Sequence, residues 1–179
     1  MKHPAAYVQL LRWARILFVA TLALFFSLVA FGNITTPGIN FPFIKHVLDM
    51  DTLFSGSELT WRAIHTPALH LAAFCLIVAW QVACAGLLWC GALQMVRARH
   101  GSGQAFESAK ILALAGLGAG FLLYGAGFLV IGGEWFSMWQ SKTWNGQSSA
   151  HIFLTFIGLV LIFLVQGEPE IEPMKGKNR

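Results

Sequence analysis

Charge is what this chain has least of. Asp, Glu, Lys and Arg together make 11% of its 179 residues, where soluble domains carry about a quarter. Acids are the scarcest: there are eight, and none falls inside the four long apolar runs. A carrier coupled to protons or ions usually places an acid or a broken helix at mid-membrane, so the pattern argues against transport. The three cysteines, Cys75, Cys84 and Cys90, lie in one expected helix. Cys75 and Cys84 would stand about 13 Å apart along its axis, too far for a disulfide, so the three read as buried thiols. Catalytic signatures are missing as well. Ser55, Ser57, Ser137 and Ser141 sit in no GxSxG-like turn. The glycines of the third run lack the Lys and hydroxyl residues of a phosphate loop. Nothing therefore points to an enzyme.

What is present is hydrophobic: 56% of the residues, with a mean hydropathy of +0.64. Runs of about 20 apolar residues match a bilayer core of about 30 Å. We expect an all-α polytopic membrane protein: a four-transmembrane-helix bundle with an ordered outer cap, forming one domain over 1–167. The charge-free runs are Ile16–Phe31, Ala68–Val96, Ile111–Ile131 and Ala150–Val165. With flanking residues they become spans over 12–32, 67–96, 109–132 and 149–167. Ala30-Phe31-Gly32 also resembles a signal-peptide cleavage site; the segment is taken as a span. The outer loops are then 33–66 and 133–148, and 168–179 is expected to be a flexible cytoplasmic tail, rich in proline and mixed charge.

The first outer loop carries Ile44, Val47 and Leu48 on one helical face, which predicts a short interfacial helix with its apolar side down. Ser57-Glu58 reads as the start of another helical turn running through Arg62. Asn33-Ile34-Thr35 matches a glycosylation acceptor but hugs the membrane. The second loop, Gly132–Gln147, holds three of the seven tryptophans, Trp135, Trp139 and Trp144, which suit a membrane–water boundary.

In the second span His70 and Gln81 fall about 20° apart on the helical wheel, beside Phe74, Ile77 and Leu88. Polar groups in lipid need internal partners, so this face should point into the bundle. In the third span Ala109, Ala113, Gly116, Gly120 and Gly127 make a small-residue stripe. Gly118, Gly125 and Gly132 repeat on the opposite side, which predicts two close neighbours and a central position. Nine of the twelve Lys and Arg residues fall on one side if the N-terminus is inside. Both termini are therefore expected in the cytoplasm. This bias also explains the positive net charge without invoking nucleic acid.

The loops resemble a known family. The residues that carry the likeness are Asn40-Phe41-Pro42-Phe43-Ile44-Lys45-His46-Val47-Leu48-Asp49-Met50-Asp51-Thr52 and Trp61-Arg62-Ala63-Ile64. A second block is Gly133-Glu134-Trp135-Phe136-Ser137-Met138-Trp139-Gln140-Ser141, with Trp144-Asn145-Gly146-Gln147. Together they are similar to the bacterial predicted small integral membrane proteins of unknown function. The resemblance implies a multi-pass inner-membrane protein with four spans, and brings no activity or catalytic residue.

Two functions are expected from the residues. One is an accessory or structural subunit of a larger membrane assembly, with a membrane protein partner or a homo-oligomer beside the lipid bilayer; the glycine faces motivate it. The other is a redox-linked protein that binds a cofactor near the outer leaflet. His70 and His151 each open an inward-running span and would ligate a b-type haem between facing helices. Alternatively a quinone or lipid pocket would be lined by Trp135, Phe136, Trp139 and Tyr124, with His70 or Gln81 on a carbonyl. A metal site from His65, His70, His151 and Glu134 lacks a supporting spacing within any one helix.

Overall fold

The computed structural model describes residues 4–169. Among these residues every regular element is helical. α1 (Ala5–Thr35) is followed by a short helix, α2 (Pro37–Asp49), and a 3-10 turn over Glu58–Arg62. α3 (Pro67–Ala98) leads through a tight turn to α4 (Gly103–Ala109) and α5 (Ile111–Leu122). α5 continues as a π-helix over Leu123–Trp135. A 3-10 turn at Met138–Gln140 then precedes α6 (Gln147–Val165). Among the described residues four helices are long and apolar enough to cross a membrane: Ala5–Thr35, Pro67–Ala98, Gly103–Trp135 and Gln147–Val165. The all-α, four-span expectation holds, each helix covering most or all of its expected span.

Proline places two of the starts. Pro37 and Pro67 open α2 and α3, where a missing N–H costs nothing. α2 stops at Met50, which adopts a left-handed conformation at φ 53° and closes the helix as a cap residue does. The face of α2 expected to be apolar is turned inward, with Ile44 and Val47 buried. The inward face of α3 is also as expected: His70, Phe74, Gln81 and Leu88 are all buried. Cys84 is buried too, but Cys75 and Cys90 lie exposed on α3, which corrects the expectation of three buried thiols.

The main core joins α1, α3, α5 and α6 through residues such as Phe26, Leu88, Leu117 and Ile157. α1 packs along α3, α3 along α5, α5 along α6, and α6 returns to α1. The third span is therefore one side of a ring and no more central than the second. Its stripe is used where the helix is α. A Cβ on Gly116 would overlap Leu88, and one on Gly120 would overlap Phe26. Gly118 meets nothing and Gly127 only Leu123 of its own segment. Gly118 lies in α5 on a side that no neighbouring helix covers; for Gly127 the reason is the change of helix type. In the π-helical part N–H groups bond five residues back, as Phe136 does to Ile131, so the wheel drawn at 3.6 residues per turn no longer applies.

A second, smaller core forms the cap. Val47, Met50, Phe136 and Met138 bury one another beneath residues of both long loops. His46 stacks on Trp144 at 4.7 Å between ring centroids, and Thr52 shares a hydrogen bond with Ser141. At the other end of the bundle Arg12 binds the Glu168 carboxylate through two contacts of 2.5 Å. Arg12 also donates to the carbonyls of Arg99 and Gly101. Glu168, the first residue of the expected tail, is thus held against the bundle; residues 170–179 of that tail lie outside the described residues.

Candidate ligand-binding site

The site follows from where α3 and the third span part. Near the terminal end they touch at backbone distance: a Cβ on Gly91 would overlap Ala113 itself. Trp80 Nε1 donates to the Ala119 carbonyl at 2.9 Å and pins the two helices once more. Beyond Trp80, α3 packs against α2 and separates from the π-helix. The wedge left between them is a cavity of about 500 Å³, lined by Ile44, Val47, Leu76, Ile77, Trp80, Gly127, Phe128, Phe136 and neighbouring apolar residues. No charged or amide side chain lines it. Leu76, Leu122 and Ile131 on its walls are each more than half exposed, so the cavity opens on the side of the bundle, toward lipid. The π periodicity lines this wall: Leu122, Gly127 and Gly132, and likewise Ala126, Ile131 and Phe136, recur five residues apart and all face it.

A smaller cavity of about 260 Å³ lies further in, between α1, α2, α3, α6 and the π-helix. Phe43, Ile44, Ile77 and Phe128 line both cavities, and Phe43 and Phe128 stack at 6.2 Å. The inner cavity is lined by polar residues too: Asn33, Asn40, Gln81 and Tyr124. Asn40 donates through Nδ2 to Asn33 Oδ1 at 2.7 Å, and Asn33 Nδ2 donates to Gln81 Oε1 at 2.8 Å. Asn33 and Gln81 are 4% and 3% exposed. A buried amide pair between helices holds α1 to α3 and satisfies groups that lipid cannot.

The five residues expected to hold a cofactor are not brought together here. Gln81 lines the inner cavity. His70 is buried but donates from Nε2 to the Ile64 carbonyl at 2.6 Å, with Asp49 3.6 Å away. His151 is exposed on α6, its Nδ1 on the Gln147 carbonyl at 2.9 Å. Trp135 and Trp139 are 50% and 46% exposed and pair with Trp61 and Phe54 at the cap surface. Neither histidine lines a cavity described here. Of the wider pocket expected, Phe136 lines the outer chamber and Tyr124 the inner. Among the described residues no group of three or more His, Cys, Asp or Glu is placed to hold a metal ion. His65 instead pairs with Asp49, and Glu134 is exposed.

Asn33 and Asn40 were not read as site residues from the sequence. The glycosylation pattern drew attention to Asn33 for the wrong reason, since its amide is consumed inside the bundle. A signal did exist: an amide at the end of an apolar run needs a partner at the same depth, and of the two amides in the neighbouring span, Gln81 and Gln94, Gln81 is the one nearer the outer end.

No curated protein and no solved structure matches the chain. A family model does, over residues 11–167, and it takes in most of the first span, the other three and both long loops. The chain belongs to the family described as predicted small integral membrane protein (DUF2165).

Proposed function

We propose that this protein takes up a neutral, lipid-soluble amphiphile of the quinone class from the bilayer. The observation that carries this reading is the division of polarity between two adjoining cavities. The chamber open to lipid is apolar, and amide and phenol side chains line only the inner one. An apolar tail fits the first and a hydrogen-bonding head the second, in the usual manner of a ligand pocket with few polar groups. Gln81 is then the residue that meets the head. The charge bias supports a cap outside an inner membrane with the termini in the cytoplasm; in that orientation the chamber opens to the outer leaflet.

The geometry favours this over a haem between His70 and His151, because His70 is spent on the Ile64 carbonyl and His151 lies on the outer surface of α6. It also weakens the case for an accessory subunit. Gly116 and Gly120, which motivated a partner helix, are filled by Leu88 and Phe26 of the same bundle.

The test is titration of detergent-purified protein with decylubiquinone, read by tryptophan fluorescence, since Trp80 lines the outer chamber. We expect saturable quenching, weakened about tenfold in Gln81→Leu through loss of a buried hydrogen bond. Organic extraction of the same preparation should release a quinone. A sample with a Soret band would replace this reading with haem. One that binds no quinone and carries a stoichiometric membrane protein would make the chain an accessory subunit.

A further inference from the structure

Arg62 is a cation that the fold holds but does not neutralise. Its guanidinium lies against two indole rings, with Cζ 5.3 Å from the Trp61 centroid and 5.0 Å from that of Trp135. Nη1 donates to the Trp135 carbonyl at 3.2 Å and, more weakly, to that of Glu134 at 3.5 Å. Nε is enclosed without a partner; Nη2 makes no hydrogen bond among the described residues but is not enclosed. That Nε–Nη2 edge is the one Arg12 turns to the Glu168 carboxylate, and its fork suits an oxyanion. Among the described residues no carboxylate lies within ion-pair distance of Arg62, and no cation pairs with the exposed Glu134. Two opposite charges thus stand at one rim, and neither neutralises the other. The rim borders the lipid-facing chamber. Gly132 and Phe136, on either side of the two carbonyls that hold Arg62, line the chamber wall. Trp61 and Trp135 are exposed and meet edge to face at 6.0 Å, and indoles favour the depth of lipid headgroups.

We propose that this rim binds a phospholipid whose headgroup carries a primary ammonium, of the phosphatidylethanolamine class. Its phosphate sits on the Nη2 side of Arg62, its ammonium faces the Glu134 carboxylate, and an acyl chain runs along the chamber opening past Leu76 and Ile131. The site goes beyond the quinone reading and does not depend on it. A hydrogen bond from guanidinium to phosphate is about twice as strong as one between neutral groups, and a cation partly withdrawn from water has most to gain from it. Charge decides the headgroup. Arg62 and Glu134 sum to zero, which matches a zwitterion. Glu58, exposed at the start of the 3-10 turn that ends in Arg62 and also without an ion pair among the described residues, adds an acid that repels an anionic headgroup. A choline headgroup carries the same charges as ethanolamine but has no N–H to give to Glu134.

The experiment is native mass spectrometry of the delipidated full chain in detergent, titrated separately with dioleoyl phosphatidylethanolamine, phosphatidylcholine and phosphatidylglycerol. One bound phosphatidylethanolamine is expected, held several-fold more tightly than either of the others. Arg62→Gln should weaken it about tenfold, the loss of a charged hydrogen bond. Glu134→Gln, on an exposed side chain, should leave the melting temperature unchanged and remove the preference over phosphatidylcholine, so it tests the headgroup even if Arg62→Gln loosens the cap. Equal retention of all three lipids, unmoved by Glu134→Gln, overturns the proposal. Phosphatidylethanolamine retained as tightly by Arg62→Gln makes Arg62 a brace of the cap and overturns it too. Displacement of the lipid by millimolar inorganic phosphate would mark a site for a free anion, again against the proposal.

Discussion

At Gly91 a single hydrogen atom decides how close two helices come. A Cβ there would overlap the backbone nitrogen, Cα and Cβ of Ala113 on the facing helix, and backbone cannot rotate away as a side chain can. Gly91→Ala should therefore force α3 and α5 apart and cost about 1–3 kcal/mol, the usual range for overpacking, seen as a lower melting temperature in detergent. Gly127→Ala is the contrast. Its added methyl meets only Leu123 of its own segment, at 3.9 Å, so melting should be unchanged. Gly127→Leu would fill part of the outer chamber it lines and should weaken decylubiquinone binding without loss of stability. The wheel put Gly127 in the same stripe as Gly116 and Gly120. That stripe was legible only while the helix stayed α, and Gly91 was not legible at all, because nothing local distinguishes it from Gly86, which meets nothing.

At the level of elements, two devices hold the ends of the bundle. At the terminal end three buried cations close the fold. Arg12 ties Glu168 to the α3–α4 turn, Arg15 binds the carbonyls of Gln166 and Gly167, and Lys110 binds those of Leu164 and Gln166. Cations at the C-terminal carbonyls of α6 also answer its dipole. The sequence suggested snorkelling for the arginines; they are instead 2% exposed, with Arg12 over the ring of Phe106 at 4.9 Å. Glu168→Ala should cost about 3–5 kcal/mol, because it leaves Arg12 buried beside an absent carboxylate. Denaturant titration in detergent would read it, and a loss under 1 kcal/mol would show the clamp to be incidental. At the cap end the expected short helix is present, and the helical turn expected from Ser57-Glu58 forms as a 3-10 helix over Glu58–Arg62; local apolar spacing and helix-start chemistry suffice for them. Their convergence on the 136–146 loop was not visible, because it depends on contacts such as His46 on Trp144 between segments far apart in the chain.

For the whole molecule the orientation in the bilayer is the property most open to a direct test. Ser141, a natural choice for a labelling site from its place in a polar loop, is 6% exposed and bonded to Thr52 and to the backbone of Trp144. Lys142 beside it is exposed. In a background with Cys75, Cys84 and Cys90 replaced, Lys142→Cys should react with a membrane-impermeant maleimide on intact cells. Reaction only after lysis would put the cap in the cytoplasm and the chamber in the other leaflet.

The sequence by itself determined the number of spans, the inward face of α3 and the existence of a helical cap. Each of these follows from short-range physics: the length of apolar run a bilayer demands, the period of an α-helix, and the cost of leaving His70 or Gln81 in lipid. Tertiary structure alone decided the site. Pairing Asn33 with Gln81 brings together residues 48 positions apart, and the outer chamber exists because α3 meets α5 at Gly91 and leaves it where the third span turns into a π-helix. Neither the meeting of two helices nor a change in one helix's pitch is written in any one segment's pattern; both are set by how the segments pack.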